Sequence, residues 1–274
     1  MTQITLFDLP RIPDIRSPLG YPGGKKKLIP YLKNLMPKDL TEMISPFIGG
    51  GSVELHYAAY GTRVYASDNS EFLINFWNCF ASNSSKVVEE TLKIFPLHVD
   101  DRRHYIKVHL AKDCRSPTGK ILNDFERAAI FFCFNKQSFR CWNLSVSTTD
   151  METRYEPEYF NRWLDWQNKN ITFTHSDFVP IIENSNGIFM YLDPPYIGKE
   201  HFYGVHKTDR SFDHEHLADL LHKTKSKWIM SYGDHPLSRE LYKDFEIIEP
   251  KWKYSVNPGS YENVESEELL ILNL

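Results

Sequence analysis

The sequence predicts an α/β protein, an open and mostly parallel sheet with a mostly helical segment inserted midway. Three observations predict it. Phe189-Met190-Tyr191-Leu192 is a wholly apolar run after Gly187-Ile188, as expected of a parallel strand buried on both faces. Met43-Ile44-Ser45 leads through Gly49-Gly50-Gly51 into a helix starting near Ser52, and Arg63-Val64-Tyr65-Ala66-Ser67 follows as a second strand closed by Asp68. That is the β–α–β order of a parallel sheet. Between about 81 and 168 the alternation stops, and helical patterns follow one another with no parallel-type strand among them.

In chain order, residues 1–16 contain Pro10 and Pro13 and read as a flexible lead-in. A parallel-sheet pattern occupies 41–80. Val87–Phe95, Arg102–Ala111 and Ile121–Asn135 read as helices, and a helix-like run at Glu158–Asn168 leads back to the sheet. Ile171–Thr174, Ile188–Leu192, Lys227–Ser231 and Leu269–Leu272 supply further strands, and Asp213 reads as the N-cap of a helix over His214–Lys223. These boundaries imply one domain from 17–80 and 169–274, and a second, mostly helical one from 81–168.

At 274 residues and 41% hydrophobic, the chain can bury one sizeable core and a smaller appendage. No run reaches transmembrane length and no secretory leader pattern opens the chain, so a soluble, cytoplasmic protein is expected. Cys79, Cys114, Cys133 and Cys141 lack metal-ligand or redox spacing. His214 and His216 sit two apart on a helix and point to different sides. No metal is expected. The net charge of −4 excludes a protein coated in basic charge, yet six Lys or Arg and no acid lie between Arg16 and Lys38. Phosphate binding needs a local positive surface rather than a positive total, so this distribution permits nucleic acid as a partner.

Two segments carry chemistry. Asp193-Pro194-Pro195-Tyr196 follows the apolar strand, and its paired prolines lack N–H groups and have fixed φ, which ends the strand in a rigid loop. Open α/β sheets bind ligands at such carboxyl ends. The loop presents a carboxylate, a free prolyl carbonyl and an aromatic face, which suit a planar base with an exocyclic amine. The alternative is a tight turn with no further role. The glycine turn lets a ligand approach the backbone closely. Asp68, about twenty residues further on, stands where nucleoside-binding βαβ units place an acid for the ribose hydroxyls. A surface turn followed by a solvated Asp is the bland alternative.

On these segments the chain resembles the Dam-type (D12 class) DNA adenine-N6 methyltransferases, over most of 17–274. Leu19-Gly20-Tyr21-Pro22-Gly23-Gly24-Lys25 is similar to that family's N-terminal cofactor motif and Phe47-Ile48-Gly49-Gly50-Gly51-Ser52 to its glycine motif. Asp68-Asn69 with Leu73-Ile74-Asn75 resembles the segment after its second strand, and Phe173–Phe178 the element that holds the cofactor's adenine. Asp193–Tyr196 resembles its catalytic tetrapeptide, and Val264–Ile271 its last strand. The resemblance implies a Rossmann-like methyltransferase sheet with an inserted target-recognition domain, S-adenosylmethionine as cofactor and double-stranded DNA as partner. It implies that Asp193, Pro194 and Tyr196 are catalytic: Asp193 and the Pro194 carbonyl accept the N6 hydrogens, and Tyr196 stacks on a flipped base. Phe47, Gly49 and Gly51 then lie along the cofactor, Asp193 beside its methyl, Asp68 on its ribose, and Asp177 and Phe178 at its adenine. Tyr21 and Lys25 close its methionine end.

Asn135-Lys136-Gln137-Ser138-Phe139 resembles the start of the Dam recognition hairpin, which makes Lys136, Gln137, Arg140 and Asn143 candidate DNA contacts. The residues that follow do not keep the family's Arg-x-Asn and Phe-Asn-x-Pro pattern, which counts against a GATC target. Gln3-Ile4-Thr5-Leu6-Phe7 resembles the peptide by which bacterial replication proteins dock on the sliding clamp; an N-terminal strand or flap over the catalytic domain is the rival. Other readings stay open at the level of sequence. A cytosine-N4 or RNA adenine methyltransferase shares the chemistry, a catalytically silent DNA-binding protein could keep the fold, and restriction-linked and orphan methylases fit alike. A dehydrogenase is disfavoured, because the turn lacks G-x-G-x-x-G.

Overall fold

A computed structural model of the chain describes residues 16–20, 24–94, 121–137, 157–199, 212–250, 253–255, 263–265 and 268–274. Among them, β1 (Glu42–Ser45), β2 (Arg63–Asp68), β3 (Ile171–His175), β4 (Phe189–Leu192), β5 (Trp228–Gly233), β6 (Glu246–Ile248) and β9 (Glu268–Asn273) form a seven-stranded sheet in the order β3-β2-β1-β4-β5-β9-β6. The pairs from β3 to β5 are parallel, and β9 runs antiparallel between β5 and β6. β7 (Lys253–Ser255) and β8 (Asn263–Glu265) pair separately as an antiparallel ribbon.

The chain leaves β1 toward β2 on one side and β4 toward β5 on the other, although β1 and β4 are neighbours. Such a reversal opens a crevice at the strands' carboxyl ends. Here it lies between the glycine turn after Ser45 and the tetrapeptide after Leu192.

Strand alternation divides the core into two layers. Met43, Tyr191, Ile229 and Leu270 face one layer, with α1 (Ile29–Leu35), α2 (Ser52–Ala59), α3 (Glu71–Ile94) and α4 (Asp124–Gln137) packed on it. Ile44, Met190, Met230 and Ile271 face the other, covered by α6 (Phe178–Glu183) and α7 (His214–Lys223). All four residues of β4 are buried, and burying each such side chain stabilises the fold by roughly 1.5–3 kcal/mol. Asp213 caps α7 by accepting the His216 N–H at 2.9 Å, as its sequence position predicts.

Two features differ from the sequence expectation. α3 passes the 80/81 boundary and kinks just after it, at Asn83, where two helices meet; Phe76, Trp77 and Phe80 are buried before the kink and Val87 and Val88 after it. Within the polar run Ser82-Asn83-Ser84-Ser85, Asn83 leaves helical geometry (φ −160°, ψ 84°) and its side chain accepts the Lys86 N–H at 2.9 Å, capping the second half of α3. Phe131, Phe132, Phe160 and Trp163 of the inserted segment then join the same core as the sheet. The helix-like run Glu158–Asn168 shortens to α5 (Pro157–Asn161).

Candidate active site

Each half of the crevice is built from backbone requirements. In the glycine turn, Gly49 has φ 44° and Gly51 φ 68°, the left-handed region that glycine enters without a Cβ penalty. A Cβ at Gly51 would lie 3.2 Å from the Trp77 ring. Trp77 in turn donates to the Gly49 carbonyl at 3.2 Å and stacks on Phe173 at 5.2 Å. Asp68 closes the turn from β2: Oδ2 accepts the Gly49 N–H at 3.2 Å and Oδ1 the Ser70 N–H at 3.0 Å. Burial pushes its carboxyl up to about 6, against the lowering effect of those N–H groups. The Asn69 N–H acts on the same carboxylate, whose roughly four lone-pair sites leave room for a further donor.

Phe47, Phe178 and Phe212 form a trio of rings beside this turn, with centroids 5.6 Å apart for Phe47–Phe178, 5.8 Å for Phe47–Phe212 and 5.3 Å for Phe178–Phe212. Asp177 is exposed at its edge, where one carboxylate oxygen accepts the Val179 N–H at 2.9 Å and caps α6. A turn open to backbone approach, an acid and an aromatic wall fit a nucleoside attached to an amino-acid chain.

The tetrapeptide half holds the charges. Lys25, in a short 3-10 turn (Lys25–Lys27), is 5% exposed and puts its ammonium 2.9 Å from Asp193 Oδ1, 3.9 Å from Glu268 Oε1 and 4.9 Å from the centre of the Tyr196 ring. Ser231 Oγ donates to the same Asp193 oxygen at 3.0 Å and lies 3.0 Å from the Tyr191 hydroxyl. Both donors fall on Oδ1, and the Asp193 side chain keeps 24% of its surface exposed. Burial raises the Asp193 carboxyl, with Lys25 and Ser231 pulling it down. Tyr196 is buried, edge-on to Tyr232 at 5.9 Å, and packs so closely on Gly233 that a Cβ there would lie 3.0 Å from its ring. Beneath lies Glu54, 2% exposed, accepting from Ser45 Oγ at 2.6 Å. Burial pushes Glu54 up to about 7, and the charges of Asp193 and Lys25 both reach it.

The fold therefore brings Lys25, Phe47, Gly49, Gly51, Asp68, Asp177, Phe178, Asp193, Pro194 and Tyr196 to the carboxyl edge of the sheet. Lys25, read from sequence at the cofactor's methionine end, pairs with Asp193. Lys136, expected to face nucleic acid, is 7% exposed, its ammonium 5.5 Å from the Phe132 ring centre and 5.2 Å from that of Tyr159. Tyr21, Arg140, Asn143, the side chain of Gln137 and the segment Gln3–Phe7 lie outside the described residues.

Sequence alone gives no role in this site to Ser45, Glu54, Ser231, Gly233, Glu268 or Asn135. The last is fully buried in α4, where Oδ1 accepts the Gly20 N–H at 3.0 Å and Nδ2 donates to the Gly20 carbonyl at 2.6 Å. It ties the root of the expected recognition segment to the chain leading into Lys25. One signal was legible: Glu54 is a lone acid between Val53 and Leu55, just past the glycines.

A family model described as D12 class N6 adenine-specific DNA methyltransferase matches residues 21–256. The type II methyltransferase M1.LlaDCHI of Lactococcus lactis subsp. cremoris is 27% identical over 243 residues, covering 82% of this chain and 84% of its own length. The type II methyltransferase M.CviBI of Paramecium bursaria Chlorella virus NC1A is 24% identical over 266 residues, covering 92% and 96%. The DNA adenine methylase of Haemophilus influenzae is 26% identical over 270 residues, covering 93% and 92%.

Proposed function

The chain belongs to the D12 class of N6 adenine-specific DNA methyltransferases, and on that premise we propose that it methylates N6 of an adenine turned out of duplex DNA, with S-adenosylmethionine as the donor. The observation that carries the reading is the hold on Asp193. Lys25 and Ser231 both bind Oδ1, which orients the carboxylate, and 24% of the Asp193 side chain stays exposed. An amine delocalised into a ring is a poor nucleophile. With one N6 hydrogen accepted by Asp193 Oδ2 and the other by the Pro194 carbonyl, the nitrogen becomes pyramidal and its lone pair is localised. Such groups act by orientation and by stabilising the positive charge that develops on nitrogen.

S-adenosylmethionine supplies an electrophilic methyl group on a sulfonium. The residues suited to hold it are Gly49 and Gly51 by backbone approach, Asp68 at the ribose hydroxyls, and Phe47, Phe178 and Asp177 at the adenine. Tyr21 at the methionine end and Tyr196 as a stacking face for the base complete the reading from the family resemblance. Target choice belongs to the end of α4 and the segment after it, through Gln137, Arg140 and Asn143. Lys136, packed between two rings, anchors its root.

Modified-base sequencing of plasmid DNA from cells expressing the chain tests the reading. N6-methyladenine at a fixed sequence context is the expected result; N4-methylcytosine or unmodified DNA would contradict it. The segment Gln3–Phe7 is proposed to dock on a bacterial sliding clamp, Leu6 and Phe7 filling an apolar pocket. Titration of residues 1–14 against the clamp, beside a Leu6→Ala, Phe7→Ala peptide, tests that separately, and equal binding by both would refute it.

A further inference from the structure

Both polar groups of the Gly49 backbone are held by side chains. Asp68 Oδ2 accepts its N–H at 3.2 Å, and its carbonyl accepts the Trp77 Nε1–H at 3.2 Å. The two holders are themselves connected. Asp68 Oδ1 accepts the Ser70 N–H at 3.0 Å, and the Ser70 carbonyl accepts the Ile74 N–H at 3.0 Å in the first turn of α3, the helix that brings Trp77 back to the glycines. Trp77 is fully buried, and its ring plane is set by a stack on Phe173 of β3, with 5.2 Å between centroids and 7° between planes. The far edge of the same indole meets the turn a second time: a Cβ at Gly51 would lie 3.2 Å from Cζ2 and 3.5 Å from Cη2.

We propose that Trp77 is a positioning residue of the donor site, which presets the glycine turn in its left-handed form before S-adenosylmethionine enters and reserves position 51 for glycine. The inference rests on the cofactor reading above, which lays the donor along this turn. Three glycines in a row have wide conformational freedom. A turn that leaves its binding form part of the time binds more weakly in proportion. Asp68 holds Gly49 from the N–H side, and the indole closes the circuit from the carbonyl side. Enclosed in the core with Phe76 and Phe80, Trp77 reaches the donor only through this backbone.

Trp77 also fills the core, and the two roles have different signatures. Lost packing lowers the amount of folded protein but leaves the affinity of the surviving molecules as it was. A turn no longer preset lowers affinity and raises KM for the donor, while turnover at saturation persists.

The test compares the full native chain with Trp77→Phe, Gly51→Ala and the double variant, by calorimetric titration with S-adenosylmethionine and by steady-state kinetics on duplex DNA. Trp77→Phe keeps a ring against Phe173 and loses the N–H and the far edge of the indole. It should weaken S-adenosylmethionine binding about tenfold, the scale of one buried carbonyl left without its donor, and raise KM to match with kcat nearly unchanged. Gly51→Ala should weaken binding as well, by pressing on the indole and by placing alanine at positive φ. With the indole edge gone the pressure is relieved, so the double variant should lose several-fold less than the product of the two single losses. Unchanged affinity in Trp77→Phe, a fall in kcat at constant KM, or single losses that simply multiply would overturn the proposal and leave the cofactor reading intact. If Trp77→Phe does not fold, Gly51→Ala decides: the chain has six tryptophans, and an indole N–H resonance should shift as the ring is pressed off the Gly49 carbonyl. Six unmoved resonances would sink the idea. A native chain that does not bind S-adenosylmethionine would overturn the cofactor reading, and the proposal with it.

Discussion

Ser231 Oγ and Asp193 Oδ1 lie 3.0 Å apart, on the oxygen that also receives the Lys25 ammonium at 2.9 Å. The carboxylate proposed to be catalytic is thus held through one of its oxygens. Ser231 comes from β5 and Asp193 from the loop after β4, so sheet register fixes their geometry.

Ser231→Ala removes one of the two donors on Oδ1. A hydrogen bond to a charged group is worth about 1.5–3 kcal/mol, which corresponds to a roughly ten- to hundredfold loss in rate if it is needed for orientation. Single-turnover methyl transfer should fall by that amount, with S-adenosylmethionine affinity nearly unchanged. An unaltered rate would show that Lys25 alone suffices to orient Asp193.

Asp68→Ala should act on cofactor affinity. Loss of the ribose hydrogen bonds costs on the order of 1–3 kcal/mol, and the Gly49 N–H that Asp68 accepts at 3.2 Å would lose its partner. Calorimetric titration with S-adenosylmethionine checks this, and equal affinity would rule out the placement.

Stability should fall as pH rises through neutrality, because the Glu54 and Asp68 carboxyls are both raised in the folded state. An acid lifted from 4.5 to about 7 favours the folded state most below its unfolded value, and that contribution is lost as pH climbs through about 7. Glu54→Gln should therefore be more stable than wild type at pH 8, by on the order of 3 kcal/mol, with a small difference at pH 5. Denaturant unfolding at the two pH values measures it; a gain of equal size at both would mean that the cost of Glu54 is not one of ionisation.

Sequence choice should lie in the segment after α4. Arg140→Ala is expected either to relax one position of the target, if Arg140 reads a base edge, or to lower the salt dependence of binding, if it contacts phosphate. Methylation of a randomised target library at two salt concentrations separates the two. No change in either would place recognition elsewhere.

The frame of the site was legible in the sequence where its signals are local. β4 announces itself as an apolar run broken by two prolines, the glycine turn by its composition, and α7 by the Asp213 cap. What escaped depends on convergence across the chain. Ser231 sits in a strand otherwise dominated by Trp228, Ile229, Met230 and Tyr232, and only its register against β4 gives it a partner in Asp193. Asn135 reads as a polar residue at a helix end, and its bond to Gly20 needs tertiary structure. β6 is a three-residue strand, paired among the described residues with β9 alone, too short for alternation to show. The serines around Asn83 mark the kink in α3, but that both halves pack on one core needs tertiary structure.

The central claim is that Asp193 activates the N6 amine of adenine, and nucleoside analysis of duplex DNA tests it most directly. DNA would be incubated with S-adenosylmethionine and either the native chain or its Asp193→Ala variant, then digested and quantified by mass spectrometry. The account predicts N6-methyladenine from the native chain and background levels from the variant, with S-adenosylmethionine and DNA binding largely retained. Near-native N6-methyladenine from Asp193→Ala, or N4-methylcytosine as the product of the native chain, would contradict it.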